Sequence, residues 1–279
     1  MNKVLCKHKT AAAKWIAAAF CILLAVTVLT GCSLSRLGKG QQYSLKEAGE
    51  GTEDTTDGSS FYAGFDADAF AETLSTVLED LPAYTGQLYV NLNDGVPLFT
   101  EEEKVTTEFE MYSSLDTLGR CRTAYANISP VTMPESERES ISEIHPTGWR
   151  TVYYGDLVEG EVLYNRCHLI AFSLAGENAN VCNLITGTRA MNAEAMLPFE
   201  ISVCRYVEKT GNHVLYRVTP VFTGDNLVAD GVVMEAWSVE DDGEGICFCV
   251  FCYNEQPGIV IDHATGESWL AEESNAGQD

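Results

Sequence analysis

The chain has 279 residues, 46% of them hydrophobic and 21% charged, with 17 Lys+Arg against 41 Asp+Glu and a formal net charge of −24. The apolar content excludes a wholly disordered chain, and the acid excess excludes a protein that grips phosphate backbones over its whole surface. Ten Cys without regular spacing exclude a small disulfide-stapled scaffold.

Lys3, Lys7, Lys9 and Lys14 flank or precede an apolar run from Trp15 to Leu29, which is short for a membrane span. The run ends in Leu29-Thr30-Gly31-Cys32, which resembles the lipobox of bacterial lipoproteins. That resemblance implies a signal peptide over residues 1–31, cleavage before Cys32, a lipid on its sulfur, and an extracytoplasmic chain anchored to the membrane. Four of the 17 Lys+Arg and none of the 41 acids precede the cut, so 13 bases face 41 acids in the remainder, a net −28. Residues 32–84 read as the lipidated Cys, a flexible acidic tether and a short helix. The tether, Ser33 to about Ser60, is rich in Gly, Ser, Thr, Gln and acid. The helix runs from a capping Asp66 to Leu81 and is stopped by Pro82.

Residues 85–272 read as one globular domain, with 273–279 as a disordered tail. Gly86 to Asn91 alternates as a strand would, and Asn93-Asp94-Gly95 offers a hairpin turn into Val96 to Thr100. Phe109 to Ser113, Arg120 to Ile128, Thr147 to Tyr154 and Leu163 to His168 read as further strands. A short helix runs from about Thr188 to Met196. A clearer one runs from Pro198 to Thr210, with Pro198 in its first turn and Gly211 at its stop. Pro198 is expected to interrupt the path between them. His213 to Val221, Gly231 to Val239 and Ile246 to Tyr253 form a strand meander, separated by turn clusters. The pattern is α+β.

The chemistry gathers at Tyr164-Asn165-Arg166-Cys167-His168-Leu169-Ile170 and at Asn192. A neutral His can take a proton from water near pH 7. Arg carries a fixed positive fork suited to phosphate. Asn supplies a neutral oxygen that suits a hard cation. Asn165-Arg166-Cys167-His168, Gly176-Glu177-Asn178-Ala179-Asn180, the run from Asn183 to Asn192, His213 to Pro220 and Gln256-Pro257-Gly258 follow one another in a characteristic order. In that order they resemble the DNA/RNA non-specific endonucleases, most of all the secreted streptococcal-type branch, whose signature is Asp-Arg-Gly-His. The likeness spans about Gly86 to Trp269.

The resemblance implies a central antiparallel sheet with a ββα-metal finger and few helices. It implies that His168 is the general base, that Asn192 holds Mg²⁺ (Mn²⁺ being the alternative ion), and that Arg166 positions phosphate. Glu200 falls where relatives carry an acid near the metal-bound water. Arg189 lies a turn before Asn192 as a substrate contact. Asn165 stands where the family has Asp, as a supporting residue, and Cys167 stands where it has Gly. The implied activity is hydrolysis of DNA, with RNA an open second substrate, without strong sequence preference. No feature calls for an obligate protein partner. The two departures and the charge motivate one alternative: a catalytically weakened surface lipoprotein that binds nucleic acid or protein.

Other candidates have plainer readings. Cys247 and Cys249 share one strand face and Cys252 the other, so buried thiols account for them better than a metal site does. Cys167 and His168 are strand neighbours on opposite faces, which argues against a thiol nucleophile served by that His. His145, His213 and His263 read as structural. Asn178, Asn180 and Asn183 read as loop-shaping residues.

Overall fold

The three C-terminal apolar strands form the middle of the main sheet. A computed structural model describes residues 65–271; the signal segment 1–31, Cys32, the tether to residue 64 and the tail 273–279 lie outside the described residues. The sheet is antiparallel throughout, with strands in the order β1 (Tyr89–Asn91), β8 (Cys247–Tyr253), β7 (Gly231–Ser238), β6 (Val214–Val221), β3 (Ala124–Ile128) and β2 (Phe109–Tyr112). Helix α1 (Ala67–Leu78) packs Phe70 and Leu74 on one face, and Asp66 caps it as expected, accepting from Asp68 N and Ala69 N. A two-stranded layer and a long helix cover the other face.

Alternation divides each strand between two cores. Along β7, Val232, Met234 and Ala236 enter the core beneath the long helix, while Val233 enters the core beneath α1. Cys249 lies in the α1 core and Cys252 in the other, both fully buried, in keeping with packed thiols. Among the described residues no group of three His, Cys, Asp or Glu is placed to hold a metal ion.

Arg217 on β6 is completely buried beneath α1. It pairs with Glu103 at 2.9 Å and Glu235 at 2.9 Å, and its guanidinium lies 3.8 Å from the Phe70 ring centroid. A charge this deep persists only when its hydrogen bonds are met. Glu235 also accepts from Leu98 N at 2.6 Å, which accounts for one departure from expectation. Val96 to Thr100 form no strand, because this segment is drawn over the buried ion pair. Asn93–Gly95 is a tight helical turn rather than a hairpin, and β1 pairs with β8.

Thr147 to Tyr154 also departs from expectation. It has one bridge, Tyr153 to Val162, and Gly148 at φ 67 turns the chain against Val228, where a Cβ would stand 2.4 Å from a side-chain carbon. Strand β5 (Leu184–Thr188), opposite β4 (Tyr164–His168), is present although its Thr-Gly-Thr ending gave no strand reading. So is the hairpin of β9 (Ile259–Asp262) and β10 (Glu267–Leu270). Two further helices complete the fold: α2 (Phe172–Ala175) and α3 (Leu197–Thr210).

Candidate active site

Strands β4 and β5 and the helix that follows form a ββα unit, with His168 paired to Leu184 and Cys167 to Ile185. The end of β5 is tied to the sheet from beyond β8. Asn254 accepts from Thr188 N at 2.8 Å and donates to Thr186 O and Ala229 O, each at 3.0 Å. Gln256 accepts from Ala190 N at 2.9 Å, fixing the first turn of the helix. Asn254 was missed from sequence; Gln256 stood in a quoted motif without a role.

The helix is continuous from Arg189 to Thr210, so Pro198 does not break it. Met191–Met196 instead winds as a π-helix that leads directly into α3. In an α-helix the proline ring would press on the carbonyl four residues back; a π turn, bonding i to i+5, takes up one extra residue and opens that space. The extra residue also changes facing. Asn192 and Glu200 are eight apart, about 80° out of line on an α-helix; with one residue absorbed they behave as i and i+7, about 20° out of line.

Both side chains accordingly border one cavity of about 610 Å³. All six site residues expected from sequence border it: Asn165, Arg166, His168, Arg189, Asn192 and Glu200. Arg138 joins them from a loop of exposed acidic and polar residues. No local signal marks it, because only the fold brings that loop over β4.

His168 is buried and held by both ring nitrogens. Nε2 lies 2.9 Å from Asn178 O, and Nδ1 lies 3.3 Å from an Arg138 guanidinium nitrogen. A carbonyl oxygen only accepts, so Nε2 carries the proton and Nδ1 the lone pair. Burial, opposed by the bond to Asn178 and joined by the Arg138 charge, holds the imidazole pKa below its usual value. His168 is therefore neutral at pH 7, as a base must be. Asn178 also donates to Glu139 O at 3.1 Å, steadying the Arg138 loop. Asn183 pairs with both backbone groups of Ile170, and Asn180 caps the turn before β5 by accepting from Cys182 N. All three Asn shape the loop.

Glu200 is nearly buried and makes no hydrogen bond among the described residues; burial, opposed by the Arg138 charge, pushes its pKa up to about 7. The Asn192 amide is half-buried and likewise without a hydrogen-bond partner among the described residues. Two unpartnered oxygen donors facing one cavity suit a hard divalent cation such as Mg²⁺ or Mn²⁺. Buried Asn165 Nδ2 also has no partner.

The two cationic expectations are modified by geometry. Arg166 donates to Ile144 O and Ser142 O, and its guanidinium stacks 4.1 Å over Trp149. It thus fastens the 142–149 segment to β4 while adding positive charge to the cavity wall. Arg189 pairs with exposed Glu159 at 3.0 Å. Cys167 points away into the core, where its sulfur lies 3.5 Å from the Met196 sulfur and burial pushes its pKa well up. Gly187 makes room for it: a Cβ there would fall 2.7 Å from Cys167 Cβ.

Residues 100–240 match the family model described as DNA/RNA non-specific endonuclease. Among solved structures, NucA from Streptococcus agalactiae with magnesium ion bound aligns with a TM-score of 0.61 at 24% identity, over 74% of this chain and 98% of that chain. Sda1 nuclease with bound zinc ion aligns with a TM-score of 0.54 at 23% identity, over 66% of this chain and 97% of that one. A search of curated proteins gives no match.

Proposed function

The chain belongs to the DNA/RNA non-specific endonuclease family, and from that premise we propose that it is a lipid-anchored, extracytoplasmic phosphodiesterase that hydrolyses DNA, with RNA as a second substrate, using His168 as base and a divalent cation held by Asn192. The observation that supports this reading best is the His168 tautomer. Its lone pair meets Arg138, which lines the same cavity in which Asn192 and Glu200 stand without side-chain partners among the described residues.

Asn192 and Glu200 would hold such a cation, which would supply positive charge for the scissile phosphate and the leaving oxygen, and Mg²⁺ is the ion we propose. The Asn178 carbonyl keeps His168 in one tautomer and orientation, so that Nδ1 accepts the proton of the attacking water. Arg138 lies 3.3 Å from Nδ1 on the cavity wall, so a water reaching the base would have to take its place, leaving its positive charge available to a phosphate oxygen. Glu200, on losing its own proton, would join Asn192 as an oxygen donor to the cation. Arg166 acts by holding the 142–149 segment, and Asn165 supports the site from β4. No cavity residue is placed as a base-edge reader, which fits weak sequence preference.

The alternative, a weakened binding module, now rests on Asn165 and the acidic net charge, because Cys167 is a packing residue compensated by Gly187. Plasmid cleavage in Mg²⁺ with and without EDTA decides between them. Wild type cleaves only with metal, while His168→Ala and Asn192→Ala keep the wild-type Tm and lose most activity; added imidazole partly rescues His168→Ala. EDTA-insensitive cleavage, or full activity in His168→Ala, refutes the reading. Anchoring is tested separately: Cys32→Ala moves the protein out of the membrane fraction.

A further inference from the structure

Tyr153 is 65% exposed. It makes no hydrogen bond and no ring contact among the described residues, whereas every other described tyrosine is ring-packed, hydrogen-bonded or buried. Its direction follows from the backbone. Tyr153 bridges Val162 in antiparallel fashion, flanked by hydrogen bonds from Tyr154 N to Glu161 O at 2.9 Å and from Leu163 N to Val152 O at 3.0 Å. This is a non-hydrogen-bonded pair, whose side chains lie on one side and close together. The neighbours Tyr154 and Leu163 point to the other side, Leu163 into a small core and Tyr154 to Ser268 Oγ at 2.8 Å. Val162 lines the catalytic cavity. Tyr153, not itself a lining residue, therefore stands beside Val162 at the edge of the cavity with its ring free.

We infer that Tyr153 is a stacking platform for a nucleobase next to the scissile phosphate, and that through it the enzyme favours single-stranded or locally unpaired nucleic acid. The inference rests on the nuclease reading above and goes beyond it. A polymer whose phosphate sits beside His168 must leave the cavity across its rim. Arg138 and Arg166 draw its phosphates to the cavity, while Asp156 and Glu161 near Tyr153 in the chain repel them. A base rather than a phosphate is what suits this part of the rim. Of the aromatics that line the cavity itself, Trp149 has one face taken by Arg166, Tyr164 is buried and Phe172 is half-buried. A duplex keeps its bases stacked inside and gains from Tyr153 only by unstacking one; a single strand offers a base at no such cost.

The test compares wild type, Tyr153→Ala and Tyr153→Phe on a single-stranded oligonucleotide and on the duplex of the same sequence, with Mg²⁺. Stacking on an aromatic side chain is worth about tenfold to a hundredfold in binding per base. Tyr153→Ala is expected to raise the single-strand KM by that factor and to lower the single-strand to duplex selectivity by at least tenfold. Tyr153→Phe, which keeps the ring, restores both. Equal effects of Tyr153→Ala on the two substrates, no effect on either, or failure of Tyr153→Phe to rescue overturns the inference. Binding of the same oligonucleotide by wild type and Tyr153→Ala in EDTA, read by fluorescence anisotropy, needs no cleavage. Absence of Mg²⁺-dependent cleavage sinks the nuclease reading, whereas equal affinity of the two proteins in EDTA sinks the stacking platform.

Discussion

If the π turn carries one surplus residue, removing one should preserve the site. Glu194 is exposed within Met191–Met196 and is the residue to delete. Deletion alone forces an α-helix and sets the Pro198 ring against a backbone carbonyl, at a cost of about 3 kcal/mol. Deletion combined with Pro198→Ala removes that clash and leaves Asn192 and Glu200 seven residues apart. On an α-helix with side chains reaching about 5 Å from the axis, seven residues leave the two groups about 20° and 2 Å out of line, and eight about 80° and 6 Å. The double variant is therefore expected to keep wild-type Tm, cleavage within about tenfold, and cation affinity measured calorimetrically on the apo protein. An ångström of misplacement in such a site costs on the order of a hundredfold. A double variant with wild-type Tm that has lost more than a hundredfold in cleavage and has lost cation binding refutes the register argument.

Other outcomes follow from the same geometry. His168 accepts a proton only above its own pKa, which lies below the usual 6.5, so the acid limb of kcat/KM falls below pH 6.5; Arg138→Ala removes one lowering cause and moves that limb upward. Glu200, with its pKa pushed up to about 7, must shed a proton on binding a cation, so cation affinity rises with pH through about 7 and Glu200→Gln flattens that rise. The sign for the apo protein is opposite: the raised pKa stabilises the fold below about pH 4.5, and about 3 kcal/mol is lost as pH climbs past 7, measurable as a falling denaturation midpoint. Gly187→Ala overpacks Cys167 and Met191 by about 1–3 kcal/mol, and Cys167→Gly in the same chain recovers part of it in a double-mutant cycle. Glu159→Gln frees Arg189 for a phosphate, lowering KM severalfold and steepening the salt dependence by about one phosphate's worth.

What was legible in the sequence follows which interactions are local. The C-terminal meander was readable because β6, β7 and β8 are largely apolar runs of strand length that end at clear turns. The ordered motif marked His168, Asn192 and Glu200, and these border one cavity because β4, β5 and the helix that follows are consecutive in the chain. The failures share a non-local cause. Val96 to Thr100 looked like a strand, yet its path is set by a buried Glu235 137 residues away from Leu98. Thr147 to Tyr154 looked like a strand, yet Arg166 and Val228 decide where it lies. Arg138 sits 30 residues from His168 in a segment with no periodicity, and nothing short of the folded chain puts them 3.3 Å apart. Pro198 misled in a different way: the rule that proline ends a helix omits the π turn, which the chain uses to absorb it.

The distribution of charge reconciles an acidic protein with an anionic substrate. The chain carries a formal net charge of −24, yet three guanidinium groups border the cavity against one carboxyl whose pKa burial pushes up to about 7. Their charges are not equally available. Arg189 is offset by Glu159, Arg166 is fastened to carbonyls that leave its charge uncancelled, and Arg138 rests on a neutral imidazole. The two uncancelled cations form a short-range field, which a bound divalent cation would strengthen, felt within the cavity and screened beyond about 10 Å at 0.1 M salt. Outside that radius the acidic surface repels the polymer. Such a surface holds one phosphate for reaction without holding the strand, which favours release of cut ends over tight association.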